Sequence, residues 1–242
     1  MAEFCIKIAG RTAKVQSLFD STRDYCKNYL SEDSPDFSVS VTRADLALEQ
    51  QLLDEEADEE GLRRRVFTDP FLERTAIQRK IAENLLAYDV LLIHGSAIAA
   101  DGKGYLFTAK TGTGKSTHTR LWRQVFGDRA VMINDDKPFL QFADNGIFLW
   151  GAPWSGKHGL DTNITVPLQG ICILERGAEN TIQPAHADFA NTFLHHQCQA
   201  PLDTGKLPAF EYLTARLLTV PVWRMQCTIS EEAPIIAHNA MK

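Results

Sequence analysis

The chain has 242 residues, with 31 acidic against 25 Lys and Arg, for a formal net charge of -6. With 44% hydrophobic and 23% charged residues it has the composition of a folded globular protein, which excludes disorder of the whole chain. The acidic balance argues against general nucleic-acid binding, because neutralising phosphates needs clustered Lys and Arg.

In chain order, Phe4 to Val15 has strand-like apolar residues broken by Gly10. Ser17 to Leu30 reads as helix. Phe37-Ser38-Val39-Ser40-Val41 alternates with period two, a strand pattern. A helix is expected from Ala44 to about Leu62. It carries the acidic run Asp54 to Glu60, followed by Arg63-Arg64-Arg65. Such charge blocks belong on a solvated face or loop, the alternative being a docking surface for a partner. Leu72, Ile77, Ile81, Leu85 and Leu86 recur near helical spacing, so an amphipathic helix is expected over 71–89. Residues 1–75 form a small α+β segment on this reading, and 76–242 form the main domain.

Strands are expected at Val90 to Ile93, Ser96 to Ala100 and Tyr105 to Thr108, with a hairpin turn at Asp101-Gly102-Lys103-Gly104. The hairpin is expected to lay the Val90 strand beside the Tyr105 strand. Further strands are expected at Ala130 to Ile133, at Phe139 to Ala143 and Ile147 to Trp150 around Asp144-Asn145-Gly146, and at Gly170 to Leu174. From about Ala185 the pattern gives two helices, a strand at Val220 to Cys227 and a short terminal helix begun by Ser230-Glu231-Glu232.

The longest apolar stretches fall far short of the roughly 20 residues of a membrane helix. The first residues lack a basic n-region and an apolar h-region, so no signal peptide is expected. Cys5, Cys26, Cys172, Cys198 and Cys227 are odd in number and widely spaced. Reduced thiols and a cytoplasmic location, with no membrane and no nucleic-acid partner, are the expectation. His195-His196-Gln197-Cys198 has no matching second half for a metal site.

The segment Ala109-Lys110-Thr111-Gly112-Thr113-Gly114-Lys115-Ser116-Thr117 follows the phosphate-loop (Walker A) pattern G-x-x-x-x-G-K-[ST], with Ala109 at the first Gly position. Glycines let successive N–H groups curl around one hollow, and the helix that starts there adds its positive end. Lys115 supplies charge for β/γ-phosphates, and the Ser116 hydroxyl suits the octahedral shell of Mg²⁺. A methyl group at Ala109 is tolerated if φ there is negative. An apolar strand precedes the loop. A helix with Leu121, Trp122, Val125 and Phe126 follows it and ends near Gly127.

The strand Val131-Met132-Ile133-Asn134 ends in Asp135-Asp136, where carboxylates are expected beside a phosphate loop. Adjacent residues of an extended chain point apart, so one carboxylate can serve the metal and the other the substrate hydroxyl. His94-Gly95 follows another apolar strand and is placed near the γ-phosphate or the acceptor.

This order of His94-Gly95, hairpin, phosphate loop, helix, strand and Asp135-Asp136 resembles the catalytic domain of the HPr kinase/phosphorylase family. The likeness covers about residues 75 to 180, and is more distant to the nucleotide-binding core of phosphoenolpyruvate carboxykinases. The resemblance implies an α/β fold: a mixed twisted sheet forming a P-loop kinase core. It implies an ATP- and Mg²⁺-dependent transfer of the γ-phosphate to a hydroxyl, in the family to Ser of a protein. Carried over residue by residue, Lys115 and Ser116 bind ATP and magnesium, Asp135 and Asp136 supply the base and a metal contact, and His94 lies in the active site. Asp135 is taken as the base and Asp136 as the metal-side carboxylate. The resemblance also implies a homo-oligomer. The family's Glu-x-Arg-Gly-x-Gly signature is absent after the Asp pair, so neither HPr as acceptor nor the reverse reaction is carried over. Trp150-Gly151-Ala152-Pro153-Trp154-Ser155-Gly156-Lys157-His158 stands in its place. Lys157 there, and Arg176 at the end of the next strand, are candidate contacts to phosphate or acceptor. A small-molecule hydroxyl acceptor, such as an amino acid or sugar, fits the same motifs. So does a non-catalytic ATP-binding regulatory module.

Overall fold

A computed structural model describes residues 2–59 and 61–242; Glu60 of the acidic run lies outside the described residues. The contacts divide the chain into two compact units, Met1–Asn84 and Leu85–Lys242. This division falls after position 75, because the helix that spans that position belongs to the first unit.

The first unit begins with strands β1 (Ala2–Ile8) and β2 (Arg11–Ser17), an antiparallel pair that turns at Ala9-Gly10. Helix α1 (Ser21–Tyr25) and a 3₁₀ turn (Lys27–Tyr29) lead to β3 (Phe37–Ser40), which pairs with β2 in parallel. Helices α2 (Arg43–Glu59) and α3 (Asp69–Leu85) follow. The helix expected from Ser17 to Leu30 is therefore much shorter. Its first residues are claimed by a carboxylate instead. Glu73 on α3 is fully buried, and it accepts hydrogen bonds from the Leu18 and Phe19 amides and the Thr22 hydroxyl. Arg79 and Glu49 form a second buried pair at 2.6 Å. The Arg63 to Arg65 block is exposed and lies in the irregular segment between α2 and α3, with Arg64 paired to Asp58.

The second unit contains β4 (Val90–Leu92), β5 (Ser96–Ala100), β6 (Lys103–Thr108), α4 (Lys115–Phe126), β7 (Ala130–Asn134), β8 (Phe139–Ala143), β9 (Gly146–Trp150) and β10 (Thr165–Arg176). It continues with β11 (Thr181–Pro184), α5 (Ala187–Gln197), α6 (Leu207–Arg216), β12 (Val222–Cys227) and α7 (Glu232–Met241). The fold is α/β. Its sheet is mixed and nine-stranded, ordered β4-β8-β9-β10-β6-β5-β7, with β12 joined to β10 and β11 to β12. One hydrophobic cluster centres on Leu91, Leu106, Leu140 and Leu213, and another on Phe107, Trp122, Leu174 and Met225.

The expectation that β4 lies beside β6 is corrected. β6 already has β5 on one side, from Ser96↔Phe107 to Ala100↔Lys103, and parallel β10 on the other. With both edges of β6 filled, β4 pairs antiparallel with β8. The Asp144-Asn145 turn joins β8 and β9, with Ala143 opposite Gly146. All five cysteines are free thiols. Among the described residues no helix is long and apolar enough to cross a membrane.

Replacing Glu73 with Ala leaves two part-buried backbone donors and the buried Thr22 hydroxyl without this acceptor. A loss of about 3 kcal/mol of unfolding free energy is expected for the first unit, read by urea denaturation. A loss below about 1 kcal/mol would mean that water reaches those donors.

Candidate active site

The loop between β6 and α4 carries the Gly-rich segment. Ala109 is fully buried and lies outside the positive-φ region, so its methyl group is accommodated and packs with Phe107 and Trp122. Gly114 caps α4 with φ 123°, a conformation that a side chain would strain. The turn is closed by Thr113 N–H to Lys110 C=O at 3.1 Å and His118 N–H to Gly114 C=O at 2.9 Å. Lys110, Thr111 and Gly112 are exposed, while Thr113, Gly114, Ser116 and Thr117 are half-buried. The Lys115 side chain folds back over the loop, with Nζ donating to Ala109 C=O at 3.2 Å. The loop stands at the N-terminus of α4, whose first amides have no intrahelical acceptor, a setting that attracts phosphate.

β7 delivers Asn134, Asp135 and Asp136 to one place. Asn134 is fully buried and works with both ends of its amide. Its Oδ1 accepts from the Asp136 and Lys137 amides at 2.8 and 2.6 Å. Its Nδ2 donates to the carbonyls of Ala152 at 2.7 Å and Trp154 at 3.2 Å. The first pair makes an Asx turn that bends the chain at the carboxylates. The second pair holds the Trp150 to His158 loop against the turn.

The two carboxylates then take different partners. Asp135 is buried, and its Oδ1 accepts from Ser96 Oγ at 2.7 Å. Ser96 Oγ also meets Thr119 Oγ1 of α4 at 2.8 Å. Asp136 turns toward His94, whose Nε2 lies 3.4 Å from Asp136 Oδ1. Burial raises the Asp136 carboxyl above the usual carboxylate range, with the Asp135 charge adding to it, while Lys137 and Lys115 pull it back. Burial, then Lys137 and Lys115, holds His94 far below the usual imidazole range, so it is neutral at pH 7. The His94 step is fixed by its backbone: its N–H donates to Gln197 C=O at 2.8 Å, and its carbonyl accepts from Thr108 Oγ1 at 2.9 Å. A Cβ on Gly95 would meet Leu106 Cδ1 at 2.8 Å and Phe107 C=O at 3.0 Å, so only glycine lets β5 start this close to β6.

Thus His94, Asp135 and Asp136 form one cluster, tied to α4 through Ser96 and Thr119. Arg176 is elsewhere. It sits at the end of β10, where its Nη2 donates to Gly112 C=O at 2.6 Å. With Gly112, Thr117, His118 and Thr228 it lines a cavity of about 510 Å³ beside the loop. Lys157 is exposed in the short turn Gly156–His158, and a Cβ on its neighbour Gly156 would lie 3.2 Å from Asp136 Cβ.

Four residues of this site escape sequence reading. Ser96, Thr119 and Gln197 look like ordinary strand and helix positions, and their roles depend on what faces them. Asn134 carries a visible signal, an amide at a strand end before two acids. The oxygen donors at Ser116, Asp135 and Asp136 suit a hard cation such as Mg²⁺, which takes one or two carboxylates and leaves the rest of its shell to phosphate and water.

Comparison with protein-family models and with curated proteins gives no match to this chain. A solved structure of the Hpr(Ser) kinase/phosphatase from Coxiella burnetii is similar to it over 62% of this chain and 95% of that one, at 12% identity and a TM-score of 0.36.

Two outcomes are expected from this geometry. Asn134→Asp turns a donor into an acceptor facing two carbonyls, and a loss of about 2–4 kcal/mol is expected in urea unfolding of the second unit. His118 is buried against Phe107 and Trp122, and burial lowers its pKa to about 4. Below about pH 6.5 the unfolded chain binds a proton that folded His118 refuses until about pH 4. Its contribution is therefore intact above pH 6.5 and lost as the pH falls, by about 2 kcal/mol at pH 5. His118→Gln keeps an acceptor for Trp122 Nε1 and is expected to flatten that pH dependence. An unchanged slope would assign it to other groups.

Proposed function

We propose that the second unit is an ATP- and Mg²⁺-dependent kinase that transfers the γ-phosphate to a hydroxyl, in the first instance Ser of a protein or peptide. The observation that carries this reading is the convergence of the phosphate loop with Asp135, Asp136 and His94, which the hydrogen bonds of Ser96 and Asn134 hold together. The order of motifs, which resembles the HPr kinase/phosphorylase family, supports Ser as the acceptor. In this reading the loop amides and Lys115 hold the β- and γ-phosphates. The nucleoside enters the cavity by Arg176, which then serves the nucleotide end of the site rather than the acceptor end.

The hydrogen bonding favours the reverse of the division of labour expected from sequence. Asp135 is tied to α4, the helix that carries Ser116, and so suits the metal side. Asp136, with its raised carboxyl pKa and its place beside His94, suits the base. Bound Mg²⁺ would be held by Ser116 and Asp135 and would neutralise charge on the phosphates. The acceptor hydroxyl attacks the γ-phosphorus, and Asp136 takes its proton. A new oxygen–phosphorus bond forms, the bond to the β–γ bridging oxygen breaks, and ADP leaves. Lys115 stabilises charge as it shifts to that oxygen.

The test uses γ-labelled ATP with Mg²⁺ and a panel of Ser peptides and small hydroxyl compounds. Labelling of one acceptor class that is lost in Lys115→Ala is expected. Asp136→Asn is expected to keep ATP binding and lower transfer by roughly 10²–10⁴-fold. Labelling only of small compounds would move the acceptor to an amino acid or sugar. ATP binding with neither labelling nor hydrolysis would replace this reading with a non-catalytic nucleotide-binding module.

A further inference from the structure

Three buried side chains from three elements form a line across the second unit. Thr119 lies on α4, one turn from Lys115 and Ser116. Ser96 opens β5, and Asp135 follows β7. Thr119 is 1%, Ser96 0% and Asp135 6% exposed. Ser96 Oγ is 2.8 Å from Thr119 Oγ1 and 2.7 Å from Asp135 Oδ1.

The directions of these bonds follow from the chemistry. A hydroxyl has one proton, and an ionised carboxylate can only accept. Ser96 therefore gives its proton to Asp135. Its oxygen is left as the acceptor for Thr119, whose other described acceptors, the carbonyls of Lys115 and Ser116, are both at 3.4 Å. The relay runs one way, Thr119 to Ser96 to Asp135. It occupies Oδ1 and leaves Oδ2 without a described protein partner.

We propose that Ser96 and Thr119 are positioning residues: their hydroxyl relay ties the Asp135 carboxylate to the phosphate-loop helix, so that Oδ2 is aimed at a Mg²⁺ ion bound with the nucleotide. The proposal rests on the kinase reading above, through its assignment of Asp135 to the metal side. It makes the Mg²⁺-dependent part of nucleotide affinity, and not the Mg²⁺-free part, the property that the relay controls. Phosphate contacts come from the loop amides and the Lys115 ammonium, whereas Thr119 reaches only the carbonyls of Lys115 and Ser116. A carboxylate that loses its orienting partner is free to rotate. Loss of a hydrogen bond behind a metal ligand commonly lowers metal affinity by about 10–100-fold.

The experiment is calorimetric titration of the full chain with a non-hydrolysable ATP analogue, in EDTA and in Mg²⁺. It compares wild type, Ser96→Ala, Thr119→Val and the double variant, with thermal melting to confirm folding. Wild type is expected to bind more tightly in Mg²⁺. Ser96→Ala is expected to keep its EDTA affinity within about twofold and to lose about tenfold in Mg²⁺. The double variant is expected to be no worse than Ser96→Ala, because the two bonds act in series. If Ser96→Ala keeps the wild-type gain from Mg²⁺, the relay proposal is overturned while the kinase reading stands. Equal losses in EDTA and Mg²⁺ would show a purely structural role and also overturn it. If Ser96→Ala does not fold, the nearly isosteric Thr119→Val decides by the same criteria. Wild type that binds no nucleotide under either condition would overturn both the relay and the kinase reading.

Discussion

A buried carboxylate has to be given hydrogen-bond donors, and the second unit is arranged around that requirement at the end of β7. Asp135 and Asn134 are both taken out of water. Left unpaired, either group would cost several kcal/mol. Their partners come from separate parts of the chain: Ser96 from β5, the carbonyls of Ala152 and Trp154 from the loop after β9, and the amides of Asp136 and Lys137 from the turn itself. Satisfying these groups fixes the bend that separates the two carboxylates. It also brings the phosphate-loop helix into the same network through Thr119. A network of this kind in a dry interior is rigid, because slackening one bond exposes a polar atom to apolar surroundings.

The order of the strands explains why the site has two ends. β6, β10 and β12 run parallel, with β10 between the other two. Segments that follow parallel strands emerge on the same edge of a sheet, where α/β proteins gather their ligands. The phosphate loop after β6, Arg176 at the end of β10 and Thr228 after β12 therefore meet around one cavity. β7, like β6, is antiparallel to the β5 that lies between them, so it runs in the direction of β6 and brings the carboxylates to the same edge on the far side of β5. Arg176 consequently pins Gly112 from the cavity side and stands apart from the His94 cluster.

Much of this was legible in the residues. The phosphate loop is written in local backbone requirements, with glycine where φ is positive and a helix-forming run after it. Its position between β6 and α4 follows from residues that touch only near neighbours. The hairpins at Asp101-Gly102 and Asp144-Asn145 are local in the same way. The helix expected from Ser17 was not legible to its full extent. Its shortening depends on Glu73, more than fifty positions away. The neighbour of β4 was equally out of reach, because it depends on which edges of β6 were already filled by β5 and β10.

The residues of the chain by themselves determined that a Gly-rich loop forms before α4 and that a strand brings two acids to its end. Periodicity and turn chemistry act over a few residues, and a reader of the sequence sees them at that range. Only the tertiary structure decided which of those acids faces the helix and which faces His94. That choice depends on a hydroxyl on β5 and an amide on β7 finding their acceptors in a dry interior. Hydrogen-bond partners far apart in sequence leave no periodic trace, so Ser96 and Thr119 acquire their roles only once the chain has folded.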